Sequence, residues 1–238
     1  MNRPGFTLVE CLIGLTLSLV VITAGLGFYA SAQKAFVRLQ AREGAGQEAL
    51  AAIDKMRIDL FHAGRGLAPE IALGLVAAVE TAAAELRLTA SERRLVLAAG
   101  AASGATRLSL LSTADLTAGR RVLLRQAEAG EVRTITRVEP GAVVVEAPLE
   151  RAYDPGSAAV SLLECVAYFR DGASRILRRR ANASSAQPVA EGVASADWSL
   201  DAAANLVSVR LELDVQGVFP HEATIFVKNR ALAKSLGS

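Results

Sequence analysis

The residues able to do chemistry in this 238-residue chain are few and scattered. His62 and His221 are its two histidines, and no HExxH, HxxxH or CxxC spacing accompanies them, so a zinc site has no local signature. The glycine-rich phosphate cradles GxxxxGK and GxGxxG are missing as well. The stretch SAQK at 31–34 satisfies the SxxK pattern of acyl-transfer enzymes, but it sits at the end of an apolar run and no KTG follows. His62 closes a helical pattern, where an imidazole offsets the helix dipole rather than serving as a base. Carboxylates fall singly along strand-like segments, with no pair set for acid and base roles. The expectation is therefore no catalytic residue, no cofactor and no metal. The densest charge is Arg178, Arg179 and Arg180, with Arg170 and Arg175 close by and Tyr168 and Phe169 beside them. Such a patch can hold nucleic acid through phosphate contacts, or it can be a strand end or a subunit contact. With 26 basic and 24 acidic residues and a net charge of +2, no global field points to nucleic acid or anionic lipid as the main partner.

One charge is out of place. Residues 6–28 are predominantly apolar and carry one charge, Glu10, and a helix of that length, at ~1.5 Å per residue, spans the ~30 Å hydrocarbon core of a bilayer. A membrane-spanning helix at 6–29 follows, and the run is too long for the apolar region of a secretory signal peptide. A carboxylate inside such a segment is expensive and asks for a partner. Cys11 lies in this segment and Cys165 in a distant strand-like stretch, so the two are not placed for a disulfide.

Gly5-Phe6-Thr7-Leu8-Val9-Glu10, after a short leader bearing Arg3, resembles the processing motif of type IV pilins and type II secretion pseudopilins. The resemblance implies cleavage between Gly5 and Phe6 by prepilin peptidase, N-methylation of Phe6, and a partner for Glu10 in the amino terminus of a neighbouring subunit. It also implies a pilin-like fold, other pilin or pseudopilin subunits as partners, and no enzymatic activity. The chain would be a single-pass inner-membrane protein with its carboxyl-terminal domain in the periplasm, later part of a pilus at the cell surface. RIDLFHAGRG and YFRDGASRILRRR resemble the minor pilins of the PilW kind. A minor pilin is the reading that follows; the alternatives are a minor pseudopilin of a secretion system and a membrane-anchored adhesin or DNA-binding module, for which Arg178, Arg179 and Arg180 form the candidate patch. The positive-inside rule alone points the other way, because Lys34, Arg38 and Arg42 follow the span while Arg3 precedes it.

The elements that position these residues are read from periodicity. From 31 to about 62, Phe36, Leu39, Leu50, Ile53, Met56 and Leu60 recur at helical spacing between charges, which extends the membrane helix over 6–63, with termination at Gly64 or Gly66 and Pro69 beyond. Gly25, Gly27, Gly44 and Gly46 are places where it could bend. After residue 70 the period changes to two. Strands are expected at 85–89, 94–98, 106–111, 121–125, 132–138, 142–146, 159–170, 175–179, 206–215 and 223–228, with turns at Ala118-Gly119, Ala129-Gly130, Pro140-Gly141 and Pro155-Gly156. The expected architecture is α+β: a leader at 1–5, a long helix at 6–63, and a β-rich domain at 70–238 with a small β-barrel inserted at 104–156.

Overall fold

The computed structural model describes residues 7–82, 84–215 and 217–236. Its first element, α1 (Leu8–His62), is an uninterrupted helix of 55 residues, about 80 Å long. No proline lies between Gly5 and Ala68, and the helical glycines do not break the ladder. The helix stops at Ala63 because Gly64 takes a left-handed φ of 76°, and its N–H donates to the Thr89 carbonyl at 2.7 Å. A Cβ at Gly64 would meet side-chain carbons of Ala78 and Ile71 at 3.0 Å, so conformation and crowding both require glycine there.

Among the described residues, twelve strands follow. β1 (Val79–Ala82) pairs with β2 (Glu85–Leu95), and β2 pairs antiparallel with β7 (Ala159–Asp171) along almost its whole length. The first half of β7 pairs with β4 (Arg121–Gln126), which continues through β5 (Ala129–Glu139) and β6 (Ala142–Val145) to β3 (Arg107–Ser109). The second half of β7 pairs with β8 (Ile176–Ala181), and β8 with β9 (Gln187–Ala190). A separate sheet holds β10 (Val193–Asp201), β11 (Leu206–Leu213) and β12 (His221–Phe226). Two short helices complete the fold, α2 (Ala68–Ala72) and α3 (Lys228–Leu236).

β2 and β7 run through two cores. In the first, Ala49, Ala52, Ile53, Met56 and Leu60 of α1 pack on Leu86 and Leu88, on Val166 and Tyr168, and on Val207, Val209 and Leu211 of β11. The alanines bring the helix backbone close to the sheet, while burial of Ile53, Met56 and Leu60 contributes roughly 1.5–3 kcal/mol each. In the second, Leu108, Val122, Leu124, Ile135, Val143 and Leu162 fill a small barrel. Its ring closes where the continuation of β2 meets that of β3: Leu97 bridges Leu110, Ala98 N–H donates to the Ser109 carbonyl at 2.9 Å, and Leu111 N–H to the Val96 carbonyl at 3.0 Å. Two of the barrel's walls are thus β2 and β7 themselves, which lie outside 104–156. Residues 85–89 and 94–98, which read as two strands, fall largely within one strand carrying a bulge between Ser91 and Arg93. The expected turn at Ala129-Gly130 lies two residues earlier, at Ala127 and Glu128, with Ala127 at φ 53°.

Candidate functional site

The first half of α1 is bare. A window within it has a mean hydropathy of 2.2 and none of it is buried against the rest of the chain, so it is long and apolar enough to cross a membrane. Burial of helix side chains begins near Ala45 and is complete at Ala49. Glu10 stands at the start of this bare rod. Its carboxylate accepts from the Thr7 N–H and from the Thr7 hydroxyl, both at 2.9 Å, while Thr7 Oγ1 accepts from the Glu10 N–H at 3.3 Å. The pair is a capping box: it satisfies donors that a helix N-terminus leaves free and sets a negative charge against the positive end of the dipole. Within this chain the partner of Glu10 is therefore the helix end, and the T-x-x-E spacing that signals it is legible in the sequence. Gly5 and Phe6 lie outside the described residues.

The second half of α1 is tied to the domain by polar bonds at its far end. Asp59 accepts from Arg179 Nε at 2.6 Å and Nη2 at 3.3 Å, and from the Tyr168 hydroxyl at 2.6 Å. Burial and the Asp59 carboxylate push the Tyr168 phenol well above its ordinary value, and the bond to Asp59 raises the Arg179 guanidinium too. Asn229 at the start of α3 donates to the carbonyls of Phe61 and Ala63 at 3.1 and 3.0 Å, capping the helix C-terminus.

The arginine run does not form one patch. Alternation along β8 sends Arg179 toward α1 and Arg178 and Arg180 to the opposite face. Arg178 pairs with Asp171 at 3.3 Å, and Arg180 pairs with Glu85 at 3.4 Å while lying 5.5 Å over the Phe169 ring. Each guanidinium thus has a carboxylate partner within the chain, although Arg180 remains half-exposed. His62 is exposed and packs edge-on to Phe61, and His221 begins β12 beside Gly46. The two cysteines are free thiols, Cys11 on the bare helix and Cys165 half-buried 3.9 Å from Arg121 Nη1, at a cleft of about 130 Å³. Among the described residues no group of three or more His, Cys, Asp or Glu side chains is placed to hold a metal ion.

Two buried carboxylates had no sequence signal. Glu131 of β5 accepts from the N–H groups of Glu150 and Arg151 and from the Tyr153 hydroxyl, and pairs with Arg133, which pins the loop before β7 to the barrel. Glu70 of α2 pairs with Arg125 of β4 at 2.8 Å. Each lies within a segment of mixed polarity, and its partner becomes adjacent only in the folded chain.

No family model matches the sequence, and no curated protein matches it. Among solved structures, partial overlaps occur with phage tailspikes. These are tailspike gp61 of Pseudomonas phage phi297 (17% identity, TM-score 0.28, 31% of this chain and 14% of the other) and the gp54 tailspike of Acinetobacter baumannii bacteriophage AP22 in complex with a capsular saccharide (9%, 0.28, 32% and 15%). A third is gp49 of Pseudomonas phage LKA1 (20%, 0.26, 29% and 14%). The chain spans about a seventh of the length of these proteins, and overlap of this size carries neither fold nor function across.

Proposed function

We propose that the chain is a prepilin-type subunit, a minor pilin that is processed by prepilin peptidase and enters or primes a type IV pilus-like filament. The observation that carries this reading is the division of α1. One continuous helix has its second half built into a β-rich domain and its first half wholly uncovered, with Glu10 at the uncovered end. A helix used only as an anchor has no need of a carboxylate at that depth. A helix that packs beside its copies does, because the charge fixes register against the amino terminus of a neighbour. In the single chain the capping box keeps Glu10 hydrogen-bonded until that neighbour arrives. Lateral packing is also served by Gly14 and Ser18, whose face is small and uncrowded: the Ser18 hydroxyl is turned back onto the Gly14 carbonyl at 2.8 Å. The DNA-binding alternative draws less support, since Arg178, Arg179 and Arg180 are already paired.

The test is the native amino terminus, read by mass spectrometry in the organism that makes the protein. N-methylated Phe6 is the expected first residue. A chain that keeps Met1, or that is cut after the apolar run, overturns the reading and leaves an anchored or secreted β domain.

A further inference from the structure

The stretch between the membrane span and the domain carries an unbalanced charge. From Cys11 to Arg42 the chain has no Asp or Glu, and Lys34, Arg38 and Arg42 follow one another at four-residue spacing on one helix face. That face is the domain's own. Lys34, Arg38 and Arg42 lie about five turns of ~3.6 residues below Ala52, Met56 and Leu60, which are all buried in the first core. The stripe thus runs down the helix beneath the domain. Arg42 marks its upper end, packed where a Cβ on Gly217 would stand, in the loop between β11 and β12. The side chains of Lys34 and Arg38 make no hydrogen bond or ion pair among the described residues, whereas most arginines of the domain hold a carboxylate or a carbonyl.

We infer that Lys34 and Arg38 form a binding site for the headgroup of an anionic phospholipid, in the leaflet from which α1 emerges. The inference rests on the membrane reading of α1 given above. Phe28 and Tyr29, both exposed, end the apolar run as aromatic side chains do at a bilayer surface. Counting ~1.5 Å per residue from Tyr29, Lys34 stands about 8 Å and Arg38 about 14 Å further along the axis. Lys34 is then level with the phosphates, and the long side chain of Arg38 reaches down toward them. The site is continuous with the span, carries no acid of its own and leaves its donors free; a lipid phosphate supplies the missing acceptor. Held on the domain side of the helix, the headgroup also sets which way the domain leans over the membrane.

The test uses the full chain reconstituted into phosphatidylcholine vesicles containing phosphatidylglycerol, repurified in mild detergent, with the co-purifying lipids quantified by mass spectrometry. A basic residue near an anionic surface is worth roughly a fivefold preference. The double variant Lys34→Gln/Arg38→Gln should lower the phosphatidylglycerol to phosphatidylcholine ratio by about 25-fold, the product of the two preferences. Lys55→Gln/Arg94→Gln removes the same net charge from the domain end and should leave the ratio unchanged. Equal ratios for the wild-type chain and the stripe variant, or equal losses in both variants, overturn the site. If the stripe variant instead keeps its lipid ratio but no longer co-purifies with further copies of itself, the stripe is a protein contact and the inference is wrong. Extraction of the wild-type chain from the vesicles by alkaline carbonate is a separate failure, of the membrane reading itself.

Discussion

Replacing Asp59 by alanine should weaken the seating of the long helix on the domain it carries. Asp59 is 11% and Arg179 21% exposed at the side chain, so the pair is largely shielded from solvent, and the Tyr168 hydroxyl depends on the same carboxylate. Breaking a buried ion pair from one side costs roughly 3–5 kcal/mol, and leaving a buried hydroxyl unpaired about 1 kcal/mol or more. Because Arg179 keeps some contact with water, we expect a total near the lower bound, about 3 kcal/mol. For a chain of this size that corresponds to a fall in Tm of roughly 6–12 °C. Trp198, the one tryptophan, donates from Nε1 to the Ala82 carbonyl at 3.0 Å and so reports the docking of the three-stranded sheet on β1. Thermal unfolding of the detergent-solubilised chain followed by its fluorescence is the assay, with Tyr168→Phe and the double variant completing a cycle. A fall of less than about 2 °C with no coupling to Tyr168 would refute the argument, since the contact would then behave as a screened surface pair.

Further outcomes follow from other sites. Glu10→Ala should leave membrane insertion and cleavage intact but block entry into filaments; normal incorporation, scored by shearing and immunoblotting, would sink the register mechanism. Gly64→Ala should destabilise by about 1–3 kcal/mol through its left-handed φ and the 3.0 Å approach to Ala78, whereas Gly74→Ala, left-handed at φ 71° but in open space, should lose only the conformational part, about 1 kcal/mol, both read from the same unfolding curve. Glu139, Asp171 and Asp201 are held below the ordinary carboxylate range by Arg107, by the Ser174 hydroxyl and by the Ala204 and Ala203 N–H groups respectively. Their contribution is complete above ~pH 5 and is lost as the pH falls through their lowered folded values, so Tm should decline on the acid side of ~pH 5. Tyr168 and Tyr153 have raised values, so their contribution is complete below ~pH 10 and declines above it, which a Tm series at alkaline pH would show.

Much of this architecture can be read before folding, and the reasons differ by element. The long helix is legible because no proline interrupts it and its apolar residues keep helical spacing into Leu60. β11 is legible because Val207, Val209, Leu211 and Leu213 alternate with polar residues and do face the core. β2 reads as two strands because its bulge at Ser91 and Arg93 resets the alternation, and a period-two search cannot carry across an extra residue. β1, β9 and α3 are short, and they hold their form through neighbours rather than through pattern. Of the residues at the candidate site, Glu10 announces itself by being charged where its surroundings are not. Asp59 does not, for its partner Arg179 is 120 residues away and looks, in the sequence, like one member of a basic run. Long-range polar pairing is where the reading of Arg178, Arg179 and Arg180 as a single patch fails, because strand alternation divides them between two faces.

The sharing of β2 and β7 by both cores has a mechanical consequence. Two lobes joined by a single peptide strand pivot freely; here two extended strands cross the junction side by side, paired with each other on both sides of the one-residue bulge at Glu92. Swinging the barrel relative to the α1 lobe would bend both strands out of register at once. A push or pull on the barrel is therefore carried along the strand axes into the sheet on which α1 is seated, and the whole domain moves as one stiff arm on the end of its helix.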